Sequence, residues 1–170
     1  MKLLLVVLTL LLNLQVASAQ VEERMRQLFF QCNNPSGIQN YYNETLGLSS
    51  QNALHRGYKG SAMAMLAGTK SGVQEKFSVF SEGKKELEAA IAMDPSSYEL
   101  RFLRYAVQSE VPMIVGYKGN VKEDIDYLLQ GFENGTLSKQ YWFWQNALKF
   151  IQTSDDRSEE QWRRLQKFVV

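Results

Sequence analysis

"GKKELEAAIAMDPSSYELRFLRYAVQSEVP", residues 83–112, contains two helical patterns and the turn that joins them. Leu87 and Ile91, with Phe77 and Phe80 just upstream, recur at the three-, four- and seven-residue intervals of one inward helix face. Gly83 and Ala90 flank Leu87 with small side chains, the arrangement that lets a second helix approach closely. Asp94-Pro95 ends the pattern, because proline offers no amide hydrogen and its ring clashes with the preceding turn. Ser96, three residues ahead of Glu99, has capping-box spacing and opens the next helix. There Tyr98, Leu100, Phe102, Leu103, Ala106 and Val107 span a broad apolar arc with Tyr105 at its edge, as in a helix buried on two sides. Arg101, Arg104 and Gln108 occupy the opposite strip, while the cap accounts for Glu99 inside the arc.

The same periodicity extends in both directions. Met25, Leu28, Phe29 and Cys32 mark a helix over 21–32, closed by "NNPSG" at 33–37, and Tyr41, Tyr42 and Leu46 mark a weaker one over 38–46. From 50 to 66, Leu54, Tyr58, Ser61 and Met65 form one stripe beside a small-residue stripe of Gly57, Gly60 and Ala64. A helix follows over 74–93. Downstream, Asn120 with Glu123 suggests a cap for Val121, Ile125, Leu128, Leu129 and Phe132, with Gly135 as the stop. Residues 138–152 carry two apolar stripes, Tyr141/Trp144/Leu148/Ile151 and Phe143/Ala147/Phe150, and Ser158 with Gln161 caps a last helix bearing Trp162, Leu165 and Phe168. The chain has only three prolines and no convincing pair of alternating strands. The expected fold is therefore all-α, with about seven helices in stacked antiparallel hairpins.

The first twenty residues read differently. Lys2 precedes an apolar run from Leu3 to Leu12, and Ala17-Ser18-Ala19 follows, the layout of a secretory signal peptide. Cleavage after Ala19 would leave residues 20–170 as a single exported domain, periplasmic or extracellular, large enough for a substantial core. The run is short of the roughly 20 apolar residues a membrane span needs, and no later segment approaches one, so no integral span is expected after removal of the leader. The 19 basic and 18 acidic residues become equal once Lys2 is removed, which argues against nucleic acid as a partner. Cys32 is the single cysteine, so packing rather than an internal disulfide must hold the fold, and its place at the end of the first helix favours burial. Asn43-Glu44-Thr45 and Asn134-Gly135-Thr136 are glycosylation sequons that matter only in a eukaryotic secretory route.

Two resemblances can be drawn. The series Gly83, Leu87, Ala90, Pro95 resembles the second helix of a tetratricopeptide repeat, although Ala67, Lys70, Ser71 and Gln74 depart from that repeat's first helix and Tyr117, Val121 and Asp124 do not continue its period. On "GYKGSAMAM" at 57–65, "FSEGKKELEAAIAMDPSSYELRFLRYAVQSEVP" at 80–112 and "VGYKGNVKEDIDYLL" at 115–129, the chain also resembles a family of short, secreted, uncharacterised helical proteins from Bacteroidetes. That resemblance implies a periplasmic helical domain and carries no activity.

Chemistry is sparse. His55 is the single histidine, no G-x-S-x-G nucleophile motif occurs, and metal sites built from histidine and cysteine clusters are excluded by count. Glu123, Asp124 and Asp126 are explained by the positive end of a helix dipole, as are Asp155 and Asp156 before the last helix. "GYKGN" and "GTKSG" lack the spacing of a phosphate loop. Arg157, Arg163, Arg164 and Lys167 read as a solvated basic face. No cofactor is implied. The expectation is a non-enzymatic binding or scaffolding module for protein partners in the cell envelope. Its candidate contact residues are Tyr98, Arg101, Arg104, Tyr105 and Gln108; pairing of the two arginines with Glu86, Glu88 or Asp94 within the fold is the simpler reading of that strip. A carboxylate-based hydrolase is one alternative. The other is a carrier of an apolar ligand, suggested by Trp142, Phe143, Trp144 and Phe150 and requiring a closed apolar cavity, although core packing explains the same aromatics.

Overall fold

The structure, a computed structural model, describes residues 2–169, with the side chains of 7, 8 and 15–169. It is all-helical: α1 (Lys2–Gln31), α2 (Pro35–Thr45), α3 (Ala53–Thr69), α4 (Val73–Met93), α5 (Tyr98–Glu110), α6 (Val121–Glu133), α7 (Trp142–Thr153) and α8 (Glu159–Leu165), with a short 3₁₀ turn at Met113–Val115. No strand occurs among the described residues. The expected first helix is joined to the N-terminal apolar run in one continuous α1, and the side chains of that run lie mostly outside the described ones.

The tightest joint is the α3–α4 hairpin. A Cβ on Gly60 would stand 2.6 Å from the Leu87 amide nitrogen, and one on Gly83 would stand 2.6 Å from that of Ala64. The backbones therefore touch directly, and the two small-residue stripes read from the sequence are each other's partners. Residues 57, 60 and 64 meet 90, 87 and 83 in turn, the order of an antiparallel pair. That register explains a departure from expectation: Phe77, expected inward, is 68% exposed. The residue opposite it would fall just past Thr69, where α3 has ended.

α5 is the central helix. Phe102, fully buried, meets Phe29 and Phe30 of α1 and Phe143, Trp144 and Phe150 of α7, with ring centroids 5.5–6.5 Å apart. These are mostly edge-to-face contacts, the geometry in which aromatic pairs attract most. Leu100 packs on Gly57 of α3. Phe132 of α6 meets Trp144 and Phe168, which closes the core at the C-terminal end.

Several helix starts differ from the sequence reading. Ser97, not Ser96, caps α5 by accepting the Leu100 amide, while the Ser96 hydroxyl bonds the Asp94 carboxylate. Asn120 makes no side-chain cap for α6; its amide donates to Glu123 instead. α7 begins at Trp142 rather than 138, because the Ser138 hydroxyl engages Gln140 in a preceding turn. The capping box of Ser158 and Gln161 forms as read.

Candidate functional site

The five residues singled out on α5 face inward. Arg104 is 5% exposed, Tyr105 and Gln108 are fully buried, and Tyr98 and Arg101 are half-buried. α4 and α6 cover the strip. Arg104 donates from Nε and Nη2 to the two carboxylate oxygens of Asp124, both at 2.7 Å, and from Nη1 to Glu88 at 3.1 Å. Arg101 donates to Glu123 at 2.9 Å and Asp124 at 3.1 Å, with its guanidinium over the Tyr127 ring. The Glu88 carboxylate also accepts the Tyr117 hydroxyl at 2.6 Å. Pairing within the fold thus engages Glu88, one of the three expected acids, and adds Asp124 and Glu123. Glu86 pairs instead with Arg56 of α3.

Asp124 corrects the helix-dipole reading. It is fully buried, and burial pushes its carboxyl up while the two arginines pull it back down. Tyr98 stacks on Tyr127 at 4.6 Å, and Gln108 donates to Asn120 at 3.4 Å. Tyr105 packs edge-on against Phe150, and burial pushes its hydroxyl up to about 12. The strip therefore welds α4, α5 and α6 together and presents no free guanidinium fork to an outside carboxylate.

A second, half-buried network went unread in the sequence. Glu99, attributed there to a cap, accepts a bidentate pair of bonds from Arg26 of α1 and the hydroxyl of Tyr58 of α3. Glu23, one turn before Arg26, accepts the Tyr141 hydroxyl at 2.6 Å and the Trp142 indole N–H at 2.7 Å. These bonds tie α1 to α3, α5 and α7. The signal was present as a carboxylate inside an apolar arc, but the local cap offered a sufficient explanation.

An apolar opening lies elsewhere. A half-open cavity of about 840 Å³ lies among the end of α1, the second half of α3, the start of α4 and the end of α5. Phe29, Phe30 and Cys32 form its floor with Phe150 of α7; Met65 and Ala67 form one wall. Phe80, Val107 and Val111 form the other, and Val73 and Phe77 stand at the mouth. Its polar side chains are Asn33, Lys76 and Glu110, all exposed, together with the Cys32 thiol. That thiol donates to the Phe29 carbonyl, and burial pushes it up to about 11, so it stays protonated and weakly nucleophilic at neutral pH.

The cavity exists because of the α3–α4 register. The two helices touch at Gly60 and Gly83, and α4 then continues beyond the end of α3 with nothing opposite Val73 and Phe77. Of the aromatics suggested as a ligand surface, Phe150 lines the cavity, whereas Phe143 and Trp144 belong to the core and Trp142 serves Glu23.

Among the described residues no group of three or more His, Cys, Asp or Glu is placed to hold a metal ion. His55 is half-buried on α3, its ring nitrogens without hydrogen-bond partners among those residues. No described helix is long and apolar enough to cross a membrane. Comparison with protein-family models, with curated proteins and with solved structures returns no match.

Proposed function

We propose that the chain is an exported, non-catalytic binding protein whose cavity receives the acyl chain of an amphiphile. The apolar cavity carries this reading. Its volume of about 840 Å³ falls within the roughly 300–1,000 Å³ of small-molecule sites. A sugar or peptide ligand needs convergent hydrogen-bonding groups inside, and here the polar side chains other than the thiol stand at the rim. A hydrocarbon chain needs none, and gains about 0.8 kcal/mol for each methylene removed from water. The ligand's head would then lie at the mouth, beside Lys76 and Asn33.

Two observations support export. The N-terminal residues have the layout of a signal peptide, and the described side chains before Val21 stay out of the core, with Met25 the first buried one on α1. A protein partner gripped by the Arg101–Gln108 strip is the weaker reading, since Arg104, Tyr105 and Gln108 are buried.

Titration with a fluorescent polyene fatty acid such as parinaric acid tests the proposal. Saturable binding with one ligand per chain is expected, together with protection of Cys32 from a thiol-reactive probe. Ala67→Phe, which places a ring in the cavity wall, should abolish both while the protein keeps its helicity. Absence of saturable uptake by the unaltered protein would end the proposal.

A further inference from the structure

Resting on the reading that the cavity takes an acyl chain, we infer that the rim of its mouth docks on the surface of a lipid bilayer. Four large apolar side chains stand out from the protein there: Val73 at 84% exposure, Phe77 at 68%, Met113 at 79% and Ile114 at 95%. Val73 and Phe77 are one turn apart on α4 and line the opening themselves. Met113 and Ile114 lie between Pro112 and Val115, which also line it. Their 3₁₀ turn is a firm pedestal: the Val115 amide donates to the Pro112 carbonyl and the Gly116 amide to that of Met113, both at 3.0 Å. Gly116 closes it at φ 68°, where a side chain would be strained. Exposed apolar residues grouped this way mark an interaction surface.

The opening at the centre of the patch identifies the partner. A rigid protein seated over it would seal off a void, whereas interfaces pack as densely as protein interiors. A fluid bilayer conforms to the rim and supplies the occupant as well. An acyl chain moving from the bilayer into the cavity would pass apolar side chains at every step and never cross water. Charge near the mouth is nearly balanced. Lys70 pairs with Glu75 at 3.4 Å, and Lys76 is offset by Glu110 across the rim. Docking should therefore be driven by apolar insertion, without a requirement for anionic lipid, unlike that of a basic amphipathic helix.

The test is cosedimentation of the full chain with vesicles of phosphatidylcholine, and with vesicles that also contain phosphatidylglycerol. Similar binding to both is expected. The double variant Met113→Ser/Ile114→Ser should lose about tenfold or more in vesicle affinity, while its uptake of parinaric acid from solution is retained, since neither residue lines the cavity. Three results would overturn the inference: no vesicle binding by the unaltered protein, binding to anionic vesicles alone, or equal binding by the double variant. A dimer in sedimentation equilibrium that the same double variant disperses would also overturn it, assigning the patch to a second copy of the chain. If vesicles fail but fatty-acid uptake is saturable, only the docking inference falls. If both fail, the cavity reading falls with it.

Discussion

Alanine in place of Gly83 and alanine in place of Gly68 should move stability in opposite directions. Both glycines lie in helices, where alanine is favoured by up to about 1 kcal/mol on backbone grounds alone. At Gly83 the new methyl would meet the Ala64 nitrogen at 2.6 Å, the Gly60 oxygen at 2.8 Å and the Met63 Cβ at 3.0 Å. Two of these are backbone atoms and cannot rotate away. Ordinary contacts lie near 3.5–4.0 Å, so the α3–α4 pair must separate by roughly 1 Å. That loosens the packing of Leu87 and Ala90, both fully buried. Overpacking of this kind costs about 1–3 kcal/mol and outweighs the helix-propensity gain. Net of that gain, the loss should be about 1–2 kcal/mol. At Gly68 nothing stands within 4 Å of the added carbon, and a gain of about 0.5–1 kcal/mol is expected. Urea unfolding followed by circular dichroism reads both, as midpoint shifts of opposite sign at unchanged slope. A Gly83→Ala protein as stable as the parent, or a Gly68→Ala protein less stable, would refute the direct backbone contact and with it the register that leaves the cavity mouth open.

Other outcomes follow from the ion-pair networks. Arg104→Ala leaves the fully buried Asp124 carboxylate with Arg101 alone and should cost about 3 kcal/mol, read as a fall in Tm of about 10 °C. Arg104→Lys should not restore it, because an ammonium cannot reproduce the two-pronged bond, whereas Arg104→Met with Asp124→Leu should recover much of the loss. Glu99→Ala leaves Arg26 and the Tyr58 hydroxyl without their shared partner, and amide exchange should rise in the second half of α1. Stability should also fall in acid. The Arg56 guanidinium holds the Glu86 carboxyl below its usual range, and Arg164 does the same for Glu133. Carboxyls depressed in the folded state bind fewer protons than in the unfolded chain, so their contribution is present above the ordinary carboxylate range and is lost as pH falls through the folded values. Thermal melts from neutral pH downward should show this, with a smaller drop in the Glu86→Gln/Glu133→Gln protein.

The fold class was legible because helical periodicity is a local property that the sequence displays directly. The proline turn after Met93, the Ser158–Gln161 box and the small-residue stripes at 57–64 and 83–90 all formed as their spacing implied. What escaped is long-range. Phe77 has the spacing of an inward residue, but whether anything stands opposite depends on where α3 ends relative to α4. Glu99 and Asp124 each had a sufficient local explanation, a cap and a helix dipole, yet both proved to be partners of arginines, Glu99 half-buried and Asp124 fully buried. Arg101 and Arg104 were read as one face of a helix, and no periodicity within that helix could show that α6 would lie across it. The cavity is the extreme case. Most of its lining residues look like ordinary core positions, and only the offset between α3 and α4 leaves the space beside the ends of α1 and α5 unfilled.

The most direct measurement of the central claim is a binding isotherm of parinaric acid on the protein and on Ala67→Phe side by side. The account predicts saturation at one ligand per chain for the former and none for the latter, with matching helicity. Uptake of equal strength by both proteins, or by neither, would contradict it.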